Sequence, residues 1–130
     1  METIQAARRW IAAWESAWPA EDVDAIASVY RDGPVYSSHP FRERESARAY
    51  LERAFGEEEL VRAWFGEPVV DGQGAAIEYW AVLRAPTGAE LTIAGCAFLR
   101  FDEDGRVADH RDYWAQTDGA HQPPSGWGGV

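Results

Sequence analysis

The amino-acid sequence predicts an α+β domain in which helices come first and an antiparallel sheet follows, in the order α-α-β-α-β-β-β-β. Apolar residues recur at helical spacing in three stretches ahead of Gly56. Beyond it the chain is rich in β-branched and aromatic residues, in runs parted by Asp71 to Gly74, by Pro86 to Gly88 and by Asp102 to Gly105. Helices and strands segregated in this way pack as helices laid over one face of a sheet.

Taken in order, Ile4, Ala7, Ile11, Trp14 and Trp18 recur every three or four residues, so Thr3 to Ala17 reads as an amphipathic helix ended by Pro19. Glu21 and Asp22 put negative charge at the start of a second helix, Val23 to Tyr30, which stops at Gly33 and Pro34. Val35 to Ser38 is a short extended piece leading to His39, which Pro40 biases toward extended geometry. Arg44 to Phe55 returns to helical spacing, with Gly56 as its end. Leu60 to Val70, Ala75 to Arg84, Glu90 to Phe101 and Arg106 to Gln116 then form four strands joined by short turns, hence a meander. Ile77 to Leu83 and Ala94 to Leu99 are apolar or small at nearly every position, so both sheet faces are expected to be covered, one by the helices and the other by a partner subunit.

At 130 residues the chain suits one domain, residues 1–116, with a Gly- and Pro-rich tail, 117–130. Its formal net charge of −10 lacks the basic footprint of a nucleic-acid or anionic-membrane binder. The single Cys96 excludes an internal disulfide and sits in an apolar run, where a thiol is usually a packing residue. No signal-peptide pattern and no apolar run long enough to span a bilayer is present, so a soluble cytoplasmic protein is expected. His and acid residues lack metal-ligand spacing, and no phosphate-loop, dinucleotide or nucleophile-elbow motif occurs; neither metal nor cofactor is expected.

The chemistry concentrates in the last hairpin, Gly95 to Trp114, whose turn is Asp102 to Gly105. Side chains alternate along a strand, so His110, Asp112 and Trp114 share one face while Asp109, Arg111 and Tyr113 share the other. An imidazole, a carboxylate and an indole on one face make either a wet surface stripe or a pocket wall.

Five stretches, Ala25 to Arg31 leading into Tyr36 to Phe41, then Ala75 to Trp80, FLRFDEDGRV and DHRDYW, resemble in order and spacing the nuclear transport factor 2-like superfamily and, within it, the SnoaL-like proteins. The resemblance covers about residues 4 to 117. It implies a cone-shaped curved antiparallel sheet wrapped around the N-terminal helices, with a pocket at the open end and usually a dimer. Members include ketosteroid isomerase, limonene epoxide hydrolase, scytalone dehydratase, polyketide cyclases and proteins without catalysis, so fold alone does not select an activity. The isomerase's base, an Asp before a proline, matches His39 before Pro40; its oxyanion-hole Tyr and protonated Asp match Trp10 and Ala97, which speaks against steroid isomerisation. The last-strand Asp of the epoxide hydrolase lies in a run resembling Arg111 to Trp114, which turns Asp112 toward the pocket; its other two catalytic positions match Glu78 and Trp80, so its arginine is missing.

The resulting candidates are Asp112, His39 and His110 as catalytic groups, with Glu78, Trp80, Trp114, Trp10, Tyr36 and Ser38 around a hydrophobic small molecule. A carboxylate walled by Trp80 and Trp114 is expected to be partly desolvated and so suited to acid–base work, with the histidines as a relay. Glu78, an acid inside an apolar strand, is expected to be paired or protonated. Two functions follow: a cofactor-free isomerase, cyclase, lyase or hydrolase moving protons on a hydrophobic substrate, or a non-catalytic ligand-binding or dimerisation module.

Overall fold

The computed structural model describes residues 1–129. Helices α1 (Thr3–Ala17), α2 (Val23–Ala27) and α3 (Ala47–Glu57) accompany strands β1 (Tyr36–Ser37), β2 (Glu59–Phe65), β3 (Val69–Asp71), β4 (Gly74–Arg84), β5 (Glu90–Phe101) and β6 (Val107–Asp118). The six strands form one sheet ordered β1-β6-β5-β4-β2, with β3 also on β4. All pairings are antiparallel except β1 with β6, where Tyr36 stands opposite His110 in parallel register. The helices fill the concave side of this sheet, and the α+β class, helices first, is as the sequence predicts.

The apolar spacing of α1 buries Ala6, Ala7, Trp10, Trp14 and Ala17 in the core. Asp22 caps α2 by accepting the Ala25 N–H at 3.1 Å, which satisfies one of the free donors of the first turn. This helix stops at Ala27 rather than Tyr30: the chain tightens through Val29 N–H to Ile26 O and Tyr30 N–H to Ala27 O. Tyr30 then leaves the helix to bridge Val107, with Val107 N–H on Val29 O at 2.8 Å and Arg31 N–H on Val107 O at 2.9 Å. Ser46, not Arg44, sets the start of α3, capping the Ala49 N–H at 3.1 Å.

The single strand expected over Leu60 to Val70 is two. Pro68 has no N–H for a ladder, and Gly66 lies against Gly128, where a Cβ would come within 2.9 Å of the Gly128 Cα. On either side of this break β2 pairs with the far half of β4 and β3 with its start, so the meander gains a strand.

Burial confirms the alternation read for β6: His110 is 1 % and Asp112 6 % exposed, against 45 % for Tyr113. On β4 the inward set is Ala75, Ile77, Tyr79, Ala81 and Leu83. Part of the outer face is covered by the chain's own end rather than by another subunit. Trp80 Nε1 donates to His121 O at 2.8 Å, Thr92 Oγ1 donates to Gly119 O at 2.7 Å, and Trp127 meets Trp80 edge-on. Phe98 and Tyr113 remain 42 % and 45 % exposed on that face. Among the described residues no helix is long and apolar enough to cross a membrane.

Candidate active site

The inner column of β6, running His110, Asp112, Trp114 and Gln116, forms one wall of a cavity of about 710 Å³ between the sheet and helices α1 and α3. Exposure rises along it, from buried His110 and Asp112 through half-buried Trp114 to exposed Gln116, so the column climbs from floor to rim. Facing it are Trp14 of α1, Trp18 at that helix's C-terminal cap, Tyr50 of α3 and Phe65 of β2.

Adjacent same-face positions bring His110 and Asp112 into direct contact, Nε2 to Oδ1 at 2.7 Å. Behind them Tyr30 Oη lies 2.8 Å from His110 Nδ1. That oxygen accepts the indole N–H of Trp10 at 2.8 Å and, more weakly, that of Trp14 at 3.4 Å. These partners fix the direction of every proton. An indole N–H only donates, so the Tyr30 oxygen is the acceptor of both tryptophans and its own proton points to His110 Nδ1. His110 is therefore the Nε2–H tautomer and donates to Asp112. Asp112 Oδ2 also accepts the Tyr36 hydroxyl at 3.3 Å. His110 stacks on Tyr36, ring centroids 3.9 Å apart, and Tyr36 stacks on Tyr50 at 4.2 Å, which holds the imidazole plane.

Burial pushes the phenols of Tyr30, Tyr36, Tyr50 and Tyr79 well up from their ordinary range, and the negative charge of Asp112 adds to the shift in each. They stay neutral hydroxyls, able to donate hydrogen bonds. Tyr79 reaches this cluster because its β5 neighbour is Gly95. A Cβ there would meet the Tyr79 hydroxyl at 2.9 Å, Trp114 Cβ at 2.7 Å and Tyr113 O at 2.5 Å. The missing side chain lets the Tyr79 ring lie across β5 toward Asp112.

Of the residues singled out from sequence, Asp112, His110, Trp10, Tyr36, Ser38 and Trp114 all line the cavity. The Trp10 N–H is taken by Tyr30, and Trp114 Nε1 donates to Ser38 O at 2.6 Å, tying β6 to the loop after β1. His39 does not join His110 and Asp112. The turn closed by Arg42 N–H on His39 O aims its ring outward, where Nδ1 accepts the Phe41 N–H at 3.2 Å and the ring meets Trp114 edge-on. Glu78 and Trp80 are corrected too. Both project from the opposite face of β4, Glu78 exposed beside outward-facing Cys96 and Trp80 under the C-terminal segment, because the inward phase belongs to Tyr79. Reading the sequence missed Tyr30, Tyr50 and Tyr79. The signal for Tyr30 was its place at the end of the helix expected over Val23 to Tyr30, since a buried phenol seeks a partner. Among the described residues no group of three His, Cys, Asp or Glu side chains gathers to hold a metal ion.

A family model described as SnoaL-like domain matches residues 7–110. No curated protein matches the sequence. Among solved structures, an LEH-like epoxide hydrolase from M. tuberculosis is 22% identical, with 85% of this chain and 84% of that one covered and a TM-score of 0.69. The Δ5-3-ketosteroid isomerase of a Mycobacterium species is 16% identical over 92% of this chain and all (100%) of that one, with a TM-score of 0.70. SalBIII, an epoxide hydrolase/cyclase-like enzyme of pyran ring formation in polyether salinomycin, is 17% identical over 85% of this chain and 92% of that one, with a TM-score of 0.72. At such identities the likeness is one of fold.

Proposed function

The chain belongs to the SnoaL-like domain family, and from that premise we propose that it is a cofactor-free acid–base enzyme acting on a hydrophobic carbonyl compound held in the aromatic cavity. The observation that carries this reading is the carboxylate of Asp112 at the cavity wall, one oxygen held by a relay of His110, Tyr30 and Trp10. Asp112 takes a proton from a carbon next to the substrate carbonyl, and the electron pair moves onto the carbonyl oxygen. The neutral hydroxyl of Tyr36 or Tyr79 hydrogen-bonds the enolate, and Asp112 returns the proton to carbon. His110 does not exchange protons in this scheme; it fixes the carboxylate's orientation.

The test needs no knowledge of the natural substrate. Hydrophobic ketones incubated with the protein in deuterated water should exchange their α-protons, followed by proton NMR. Asp112→Asn should lower that exchange by about a hundredfold or more, the usual scale of general-base catalysis. Exchange by Asp112→Asn at the wild-type rate would remove Asp112 from the reaction.

A second reading is favoured by one observation, that both Asp112 oxygens already have protein partners and the residue is only 6 % exposed. In it the cavity binds a hydrophobic ligand without chemistry. Ligand binding without exchange in the wild type would select it. We also propose a homodimer through the outer sheet face, supported by the exposed Phe98 and Tyr113, which meet edge-on at 5.7 Å.

A further inference from the structure

Three arginines line the cavity rim, and two are neutralised in place. Arg53 donates to both oxygens of Glu45 at 2.6 and 2.8 Å. Arg44 pairs with Asp109 and donates to Val35 O at 3.1 Å. Arg42 differs: among the described residues no carboxylate pairs with it, and its guanidinium lies 5.6 Å from the Trp114 ring centroid with Nη1 3.4 Å from Ser38 Oγ. It lines the same cavity as Tyr50, which stacks on Tyr36 next to Asp112.

We propose that Arg42, with the Ser38 hydroxyl, is a carboxylate-binding subsite, and that the ligand of this cavity is a hydrophobic compound bearing a carboxylate. The inference rests on the reading of the cavity as a hydrophobic ligand site and adds the class of its occupant. A guanidinium laid over an indole keeps its N–H edge free and planar, the geometry that takes a carboxylate through two parallel hydrogen bonds.

The other charges fix which end of the ligand goes where. Asp112, buried at the floor, repels a carboxylate from the interior. Glu43, Glu57 and Glu58 also line the rim and oppose an anion there. Glu43 and Glu57 are exposed and act through water, whereas Arg42 acts in contact, and Coulomb energy falls with both distance and screening. Arg42 is therefore the one seat for an anion: the carboxylate stays at the rim and the apolar body lies inward between the aromatic walls, its reactive end toward Asp112.

Calorimetric titration with naphthylacetate, naphthylacetamide and naphthylethylamine tests this, since the three share an apolar body and differ in charge. Wild-type protein should bind the acid about tenfold more tightly than the amide, the scale of a charge-assisted hydrogen bond. Arg42→Gln should erase that preference, and Arg42→Lys should keep part of it. Arg42 is exposed, and unchanged melting of both variants checks that the fold is intact. Equal binding of acid and amide by the wild type, a preference surviving Arg42→Gln, or tighter binding of the amine would each overturn the carboxylate subsite while leaving the hydrophobic cavity standing. Failure of all three compounds to bind would overturn the cavity reading and the subsite with it.

Discussion

Replacing Tyr30 by Phe removes one oxygen from the centre of the relay and leaves the ring in place. Three groups then lose their partner: the indole N–H of Trp10, Nδ1 of His110 and, less seriously given its 3.4 Å contact, the indole N–H of Trp14. Trp10 is 2 % and His110 1 % exposed, so water does not readily replace the lost hydroxyl. A buried polar group left unpaired costs about 1–3 kcal/mol. Counting the two close contacts, the expected loss of stability is about 3 kcal/mol. For a domain of this size that lowers the melting temperature by about 10 °C. Urea titration and thermal melting measure it.

The direction of the relay gives a sharper readout. Long-range proton–nitrogen NMR of the wild type should find His110 protonated at Nε2, with Nδ1 a hydrogen-bond acceptor. In Tyr30→Phe the Nδ1 resonance should move toward that of an acceptor without a donor, while Nε2 keeps its proton on Asp112. A double-mutant cycle adds a check: Trp10→Phe should cost about 1 kcal/mol less in the Tyr30→Phe background than alone, because its N–H is already orphaned there. A wild-type His110 protonated at Nδ1, or a Tyr30→Phe protein as stable as the wild type, would refute the assignment of protons along the chain.

Gly95→Ala forces a Cβ to within 2.5 Å of Tyr113 O and 2.7 Å of Trp114 Cβ, both on the neighbouring strand. The expected destabilisation is about 3 kcal/mol by urea titration, and a variant within about 0.5 kcal/mol of wild type would show that the strands separate easily. The buried phenols predict alkaline lability. An unfolded tyrosine ionises near pH ~10, whereas Tyr30, Tyr36, Tyr50 and Tyr79 in the fold are held well above that by burial, so the native state binds more protons there. Their contribution is fully present below the unfolded value and is lost as pH rises past it, by up to about 1.4 kcal/mol per pH unit for each phenol. In a Tyr113→Phe background, phenolate absorbance should appear together with loss of the circular-dichroism signal; phenolate formed in a still-folded protein would contradict the burial argument. Glu78→Gln, on the exposed outer face, should change stability by no more than about 0.5 kcal/mol and leave binding of naphthylacetate unchanged. Weakened binding would return Glu78 to the cavity.

The sequence by itself determined the class of the fold, the start of the second helix at Asp22, the hairpin turn at Asp102 to Gly105, and the shared face of His110, Asp112 and Trp114. These rest on periodicity and on turn chemistry, which act between residues a few positions apart. The face of β4 was not legible in the same way. Ile77 to Leu83 is apolar on nearly every residue, so alternation carried no phase, and the choice of Glu78 and Trp80 over Tyr79 was off by one position. Likewise nothing local distinguishes a Pro-adjacent His39 that faces the cavity from one that turns away.

Only the tertiary structure decided the relay and the rim. Tyr30 and His110 are 80 residues apart in the chain, and their contact exists because Tyr30 leaves α2 early to bridge Val107 and so comes to lie behind His110 of β6. Arg42 differs from Arg44 and Arg53 only in lacking an acid within reach, a fact about positions in space. Sequence patterns report which side of an element faces the core, whereas hydrogen-bond partners and net local charge depend on which elements the fold brings together.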